Sequence, residues 1–285
     1  MKTHNGLRLK LQRYFFIIAL CLTSGLLFSS SGWAARKTVR KSYAVTAKSA
    51  IFSNSSQANR FYGKNVHTKV EPASTTKVMT ALMVLENLPL DKVVVVSRQA
   101  LNVQPTKVGL LEGEHYRVSD LLYASLMQSA NDASIVLAEA VAGSEKEFVK
   151  LMNKRAKQLG AHHTKFANPH GLPTQEPQYT TAYDMYLIFR EALKYPFFRE
   201  TLTHKNKIIV SQEGRQIPVR SYNKLLWKNW KKNIYGKTGY TKKARYCFVG
   251  YLEEGKDTFI MAVFGCRKRW SDIRYIVTTY GGINL

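Results

Sequence analysis

The sequence has 285 residues, and its 43 lysines and arginines exceed its 19 aspartates and glutamates, which gives a formal net charge of +24 at pH 7. Such a charge favours anionic partners: nucleic acid, acidic wall polymers or lipid headgroups. The length suits one large domain, or one domain with a subdomain, and the absence of repeats and low-complexity segments excludes a repeat array.

The N-terminus has the pattern of a secretory signal. Four cations precede a largely apolar stretch at 14–28, and Gly32 and Ala34 then satisfy the small-residue rule for cleavage. The apolar stretch is shorter than the roughly 20 residues of a spanning helix. We therefore predict a cleaved signal peptide at 1–34 and one domain at 35–285, exported to the periplasm, the cell wall or the medium. The exported part keeps a formal charge of +20, and export makes nucleic acid the least plausible anionic partner.

Both strands and helices are predicted along the chain. Strands are predicted at 42–53 and 60–62, a helix from Ser74 to about Asn87, a β-branched run at 93–96, helices at 118–141 with a break at 128–131, at 144–159 and at 181–193, a hairpin at 208–219, strands at 234–237, 245–252 and 258–265, and a helix at 271–280. Strands lie at both ends and helices between them, and tight turns join the last strands. This pattern predicts an α+β fold with an antiparallel sheet.

The stretch from Pro72 to Lys77 is the first candidate site. Ser74 is predicted as the N-terminal residue of a helix, capping its free N–H groups, because Pro72 prevents an earlier start. Lys77 then lies on the same helical face, within reach of the serine hydroxyl. A lysine whose pKa is lowered can take the proton of a serine and make it a nucleophile. The second Ser-x-x-Lys, at 221–224, opens no apolar helix and is interpreted as a chance occurrence.

Two further motifs follow in the chain. Ser129-Ala130-Asn131 breaks an apolar helical run, as a triplet facing a cleft would, although a helix–helix corner would also explain it. Lys237-Thr238-Gly239 lies in a predicted strand, where a glycine often marks the close approach of another backbone.

Ser-x-x-Lys, Ser-x-Asn and Lys-Thr-Gly in this order form the signature of penicillin-binding proteins and class A β-lactamases. The sequence resembles the low-molecular-weight penicillin-binding proteins that act as D-alanyl-D-alanine carboxypeptidases, from about Tyr43 to Gly281. The resemblance also covers the segments 128–133, 170–172, 181–184 and 236–241. It implies a five-stranded antiparallel sheet flanked by helices, with an inserted and mostly helical subdomain.

The resemblance also implies roles for the motif residues. Ser74 would attack the carbonyl between the two terminal D-alanines of a peptidoglycan stem peptide. Lys77 would be the general base, with Lys237 lowering its pKa by like-charge repulsion. Ser129 would relay the proton to the leaving amine, and Asn131 would hold the substrate amide.

The resemblance also implies where the carbonyl oxygen and the backbone of the substrate would bind. The backbone N–H groups of Ser74 and Tyr240 would form the oxyanion hole, and Gly239 would let the substrate lie against the strand edge. The resemblance implies no cofactor and no metal, and it makes β-lactams inhibitors.

The terminal carboxylate of the substrate would meet Lys237 and Thr238. Arg267 resembles the arginine that helps to clamp this carboxylate, with Arg269 as a nearby alternative. Arg245 stands where many relatives have glycine. The family's β-rich C-terminal domain and amphipathic anchor are not recognised, so membrane attachment stays open, and the basic surface is a candidate for holding anionic wall or lipid.

Other activities remain as alternatives. An endopeptidase that cuts D-alanyl cross-links would use the same groups. A serine β-lactamase would need a deacylating base, and the corresponding loop offers Glu176 without a recognisable motif. A catalytically silent wall-binding protein is the third alternative.

Several remaining features are predicted to be structural. The pair His162-His163 lacks a glutamate at zincin spacing, and His170 lacks the Gly-x-Ser-x-Gly elbow of a triad enzyme. The aromatic and basic cluster at 227–232 is interpreted as a cleft rim or a solvated face. A disulfide between Cys247 and Cys266 is permitted but not implied.

Overall fold

A computed structural model describes residues 43–55 and 60–285 of the chain. The predicted signal peptide lies outside these residues. The strands are β1 (Ser49–Asn54), β2 (Arg60–Lys64), β3 (Val93–Val95), β4 (His115–Arg117), β5 (Asn206–Val210), β6 (Gln216–Arg220), β7 (Tyr235–Thr241), β8 (Arg245–Glu254) and β9 (Asp257–Cys266).

The helices of the described residues lie mainly between β2 and β5. They are α1 (Lys77–Asn87), α2 (Arg98–Leu101), α3 (Val118–Met127), α4 (Asn131–Ala142), α5 (Glu145–Gln158), α6 (Ala182–Ala192), α7 (Pro196–Thr203) and α8 (Arg269–Tyr280). Two 3-10 turns, at Ala73–Thr76 and Lys224–Trp227, complete the set.

Five strands form one antiparallel sheet in the order β2-β1-β9-β8-β7. The strands β3 and β4 form one separate hairpin, and β5 and β6 form another. The sheet therefore joins the first and the last strands of the chain, with most of the helices inserted between them. This confirms the predicted α+β fold and leaves β7 at an edge of the sheet.

The sheet is buried on both faces, because successive apolar side chains of its strands point to opposite faces. Ile51, Val249 and Ala262 belong to the core shared with helices α1 to α7, whereas Phe52 and Met261 face the core under α8. A sheet covered on both faces holds its edge strand rigidly. The edge strand β7 is thus a firm support for groups placed along it.

Helix ends follow the predicted caps in two places and depart from them in a third. Ser144 accepts a hydrogen bond from the Glu147 N–H, and Thr181 accepts one from the Asp184 N–H. The prediction that Ser74 caps a helix is wrong, because Ser74 lies inside a 3-10 turn whose N-terminus has no side-chain cap.

Some elements were not predicted. The strand β4 has only three residues, too few for an alternating pattern to show, and α7 begins at Pro196, a residue favoured in the first turn of a helix. The first strand begins at Ser49 and not at residue 42. Within the described ranges, no helix is both long and apolar enough to cross a membrane.

Candidate active site

The nucleophile candidate lies against the edge strand of the sheet. A Cβ added to Gly239 would stand 3.1 Å from both the backbone nitrogen of Ser74 and the Cβ of Ala73. Any side chain larger than hydrogen would therefore push β7 away from the 3-10 turn. Glycine at this position allows the two backbones to touch, as its place in the strand suggested.

Lys77 is fully buried at the start of α1, and its amine meets three oxygens. The Nζ atom donates to Asn131 Oδ1 at 2.6 Å and to the carbonyl of His170 at 2.9 Å, and it lies 3.5 Å from Ser74 Oγ. A neutral amine has two N–H donors, and two carbonyl oxygens accept both of them. The lone pair is then left for the hydroxyl proton of Ser74.

The electrostatics favour this neutral form. Burial holds the pKa of Lys77 well below its usual range, and the positive charge of Lys237 lowers it further, against an opposing effect of Asp132. Repulsion by Lys237 was predicted from the sequence, but desolvation by burial is the larger cause. A neutral amine in this position can accept the proton of a serine hydroxyl.

Ser129 and Lys237 form a second buried pair close to Lys77. Ser129 lies in the short link between α3 and α4 with a φ of +67°, a left-handed conformation that few non-glycine residues adopt. Lys237 Nζ donates to Ser129 Oγ and to the Thr238 carbonyl, both at 3.0 Å. Burial and, to a smaller degree, Arg269 lower the pKa of Lys237 to about 7.

The loop after α5 supplies a contact that sequence reasoning did not foresee. The His170 carbonyl accepts from Lys77, and the Asn168 side chain holds the loop by accepting the Gly171 N–H at 2.6 Å. Gly171 has a φ of +83°, and a Cβ there would stand 1.9 Å from the Ala73 carbonyl oxygen. The segment His-Gly-Leu was part of the resemblance, but nothing in it indicated a backbone carbonyl as the functional group.

The His170 ring is poorly suited to be a catalytic base. Burial and the nearby Lys77 lower its pKa to about 3, which makes the neutral ring a weak base. Its Nδ1 accepts the Leu172 N–H at 3.2 Å, which places the ring proton on Nε2. The ring therefore stabilises the loop, in agreement with the interpretation of His170 as a structural residue.

Two buried neighbouring side chains, Asn131 and Asp132, hold the loop at 104–110. Asn131 donates from Nδ2 to the Gln104 carbonyl at 2.8 Å, which orients its Oδ1 toward Lys77. The buried Asp132 carboxylate accepts the N–H groups of Val108 at 3.1 Å and Gly109 at 3.0 Å. The start of α4 thus holds the 104–110 loop beside the site.

The two arginines after β9 occupy different positions. Arg269 donates to the Gly239 carbonyl at 3.2 Å and to the Cys247 carbonyl at 2.7 Å, and its guanidinium stacks on Trp270 at 4.0 Å. The Arg267 side chain is exposed, and no residue of the described chain accepts a hydrogen bond from it. Arg269 thus contacts the backbone of β7 and β8, whereas the charge of Arg267 is exposed to solvent.

The other candidates from the sequence lie elsewhere. In the second Ser-x-x-Lys copy, Asn223 accepts the Leu225 N–H and donates to the Ile234 carbonyl, which makes it a structural residue. Glu176 is exposed and lies 3.8 Å from Lys165.

The cysteines and the metal-ligand types give no further site. Cys247 and Cys266 are buried free thiols, and burial raises the pKa of Cys247 to about 12. Across residues 43–55 and 60–285, no group of three or more histidine, cysteine or acidic side chains is placed to hold a metal ion.

Comparison with known proteins identifies relatives along most of the chain. Residues 35–268 match the sequence model of the peptidase S11 family, described as D-alanyl-D-alanine carboxypeptidase. The chain is 35% identical over 247 residues to the D-alanyl-D-alanine carboxypeptidase DacF of Bacillus subtilis (strain 168), which covers 84% of this chain and 63% of that protein. It is 34% identical over 253 residues to DacC of Escherichia coli (strain K12), covering 85% and 62%. The chain thus spans a little less than two thirds of these curated relatives.

Solved structures share the fold. A putative penicillin-binding protein homolog from Mycobacterium tuberculosis aligns with a TM-score of 0.78 at 28% identity, over 86% of this chain and 96% of that chain. The Streptomyces K15 DD-transpeptidase aligns with a TM-score of 0.77 at 27% identity, over 85% and 99%. The family match, the relatives and the shared fold agree, and the chain belongs to the D-alanyl-D-alanine carboxypeptidase family, peptidase S11.

Proposed function

We propose that the protein is a penicillin-sensitive serine carboxypeptidase that removes the terminal D-alanine from peptidoglycan stem peptides. The observation that carries this proposal is the Lys77 amine, whose two N–H donors are taken by Asn131 and His170 while its third neighbour is the Ser74 hydroxyl. A buried, neutral lysine beside a serine is an activated nucleophile.

The reaction proceeds through an acyl-enzyme. Lys77 Nζ takes the Ser74 proton as Oγ forms a bond to the carbonyl carbon between the two D-alanines. The tetrahedral intermediate expels the terminal D-alanine as its C–N bond breaks, and the proton taken up by Lys77 passes through the Ser129 hydroxyl to the leaving amine, which returns Lys77 to its neutral form. Neutral Lys77 then takes a proton from water as the water oxygen attacks the ester carbonyl, and gives it to Ser74 Oγ as the ester C–O bond breaks.

The strand β7 and its neighbours bind the substrate. The N–H groups of Ser74 and Tyr240 stabilise the oxyanion, and each such donor contributes about 10²–10³ in rate. Lys237 and Thr238 bind the terminal carboxylate, with the exposed Arg267 turning toward it when substrate is present. Asn131 orients the substrate amide in addition to holding Lys77.

The predicted signal peptide supports a site of action outside the cytoplasm. It would direct the protein to the periplasm or the cell wall, where the proposed substrate lies. The excess of basic residues promotes association with anionic wall polymers or lipid headgroups.

Intact mass spectrometry with benzylpenicillin tests the acyl-enzyme. A one-equivalent adduct that persists for minutes to hours and is missing in Ser74→Ala would support the proposal, together with release of D-alanine from diacetyl-Lys-D-Ala-D-Ala. Rapid return of the free mass with consumption of the drug would indicate a β-lactamase instead. The absence of any adduct would leave a wall-binding protein without activity.

A D,D-endopeptidase is the second candidate, because one relative bears that name. The D-alanyl-D-alanine endopeptidase of Escherichia coli (strain K12) is 32% identical over 188 residues, covering 62% of this chain and 57% of that protein. The catalytic groups would be the same, and only the leaving group would be larger. Cleavage of a cross-linked muropeptide dimer faster than the uncross-linked pentapeptide would favour this activity.

A further inference from the structure

A basic pocket lies at the end of the sheet next to the site. Its volume is about 550 Å³, and it is enclosed by the start of β1, the end of β9, the turn between β7 and β8, and the loop at 173–179. Four cations line it: Lys48, Lys69, Lys243 and Arg245.

The cations in this pocket outnumber the acids and are only partly neutralised. Two acids, Glu71 and Glu176, also line the pocket. Glu71 pairs with Lys243, and Glu176 lies 3.8 Å from Lys165, which is not part of the lining. Lys69 stacks on the Tyr179 ring at 4.1 Å. The side chains of Lys48 and Arg245 are exposed and have no acidic partner among the described residues. Their two charges are therefore available to a ligand.

The backbone of Arg245 is unusual for a charged residue. Its φ of +59° lies in the left-handed region, where a non-glycine residue costs about 1 kcal/mol or more. The neighbouring Ala244 is buried, and its N–H donates to Thr241 Oγ1 at 2.9 Å, which closes the turn after β7. The turn thus holds the Arg245 side chain at the pocket, immediately after the strand that faces Ser74.

The pocket lies on the path of the substrate, if the proposed function is correct. The terminal carboxylate is placed at Lys237 and Thr238 and the scissile carbonyl at Tyr240, so the upstream residues run past Thr241 in the direction of Lys243. At about 3.4 Å per residue, two residues upstream of the scissile bond extend about 7 Å along the strand. On the opposite side, Glu71 lies three residues before Ser74 and lines the same pocket.

We propose that this pocket is a subsite for a carboxylate carried two or three residues upstream of the scissile bond, with Lys48 and Arg245 as its binding groups. This inference rests on the proposed function and adds a substrate class to it: stem peptides with free acidic groups are preferred to amidated or neutral ones. Lys48 and Arg245 determine this specificity and take no part in the chemistry.

Two peptides that differ in one carboxylate test the subsite: acetyl-Glu-Lys(acetyl)-D-Ala-D-Ala and its glutamine counterpart. We expect kcat/KM for the glutamate peptide to exceed that for the glutamine peptide about fivefold or more at low salt, because two partly exposed ion pairs each contribute modestly. The ratio should decrease as salt is added.

Variants assign the preference to the pocket. In Lys48→Gln combined with Arg245→Asn, the ratio should decrease to nearly one; asparagine tolerates the left-handed backbone. Lys256→Gln, an exposed lysine in the turn at the other end of the sheet, should keep the ratio of the unmodified protein. A ratio of one in the unmodified protein, or a ratio retained in the double variant, would overturn the inference.

Failure of the proposed function would look different. If Ser74 is not acylated by benzylpenicillin and neither peptide releases D-alanine, the activity itself is wrong. If acylation and release occur without discrimination between the peptides, only the subsite is wrong.

Discussion

Replacing Lys237 with methionine should stabilise the protein at neutral pH. Lys237 is fully buried, and methionine is apolar and of similar length. A pKa of about 7 in the folded protein, against the ordinary 10.5, means that burial of this amine costs about 4 kcal/mol at pH 7. The variant loses two hydrogen bonds, to Ser129 and Thr238, worth about 1 kcal/mol each. We expect a net gain of about 2 kcal/mol in the free energy of unfolding.

The gain should disappear in alkaline solution. Between pH 7 and 10.5, the unfolded Lys237 binds more protons than the folded one, so the stability of the unmodified protein rises with pH over this window. The penalty is full below pH 7 and has fallen to about 1 kcal/mol at pH 10, whereas methionine has no such dependence. At pH 10 this remainder offsets only half of the roughly 2 kcal/mol of lost hydrogen bonds, and Lys237→Met should be less stable than the unmodified protein by about 1 kcal/mol.

Urea unfolding at pH 7 and pH 10 measures both values, with Lys256→Met as the exposed control whose effect should not change with pH. The rate of acylation by benzylpenicillin should also fall about 10²-fold or more, because the carboxylate of the drug no longer meets the Lys237 ammonium group. If Lys237→Met changes the free energy of unfolding by the same amount and in the same direction at both pH values, burial of the Lys237 amine does not destabilise the protein in a pH-dependent way and the reasoning is refuted.

Three further substitutions test the geometry of the site. Gly239→Ala places a methyl group 3.1 Å from the Ser74 nitrogen, and we expect acylation to slow about tenfold or more, with an unchanged rate arguing against the close approach. Asn131→Asp puts a carboxylate 2.6 Å from Lys77 Nζ and should raise the pKa of Lys77. The midpoint of the plot of acylation rate against pH should then move about 1–3 pH units higher, and an identical pH profile would contradict the assignment of Lys77 as a neutral base. Asp132→Asn weakens the charge-assisted bonds to the 108–110 loop and should lower the free energy of unfolding by about 2 kcal/mol in urea titrations, an effect that would not appear if the loop were held by other contacts.

Much of the fold could be predicted because the local signals agree with the tertiary structure. The capping residues Ser144 and Thr181, the glycine turn between β8 and β9 and the polar break between α3 and α4 each mark a boundary that the structure confirms. Elements whose stability comes from packing alone were missed or misplaced. The strand β4 is three residues long and exists because it pairs with β3, a contact that its own sequence does not encode.

The start of α1 shows why local rules fail at a functional position. Serine before an apolar run indicates an N-cap, yet Ala73 has a φ of +46° and Ser74 sits within a 3-10 turn. A serine that caps its own helix would turn its oxygen toward the backbone N–H groups. The strained turn, supported by Gly171 and Gly239 on either side, leaves the Ser74 oxygen free to face Lys77. Backbone residues in strained conformations are concentrated at functional sites, and Ala73 is an example beside the candidate nucleophile.

The environment of Lys77 is the part of the candidate site that the sequence could only suggest. The type and spacing of this lysine follow from the motif, but its lowered pKa depends on burial by helices that come later in the chain, and its orientation depends on two acceptors, 54 and 93 residues away. One of these acceptors is the backbone carbonyl of His170, a group that every residue carries, so no residue type could have indicated it. What positions this carbonyl is the pair Asn168 and Gly171, a side-chain acceptor and a left-handed glycine. The Lys77 amine is therefore oriented by a distant loop that is held in one conformation, and a change in that loop should alter the acylation rate without touching any of the three motifs.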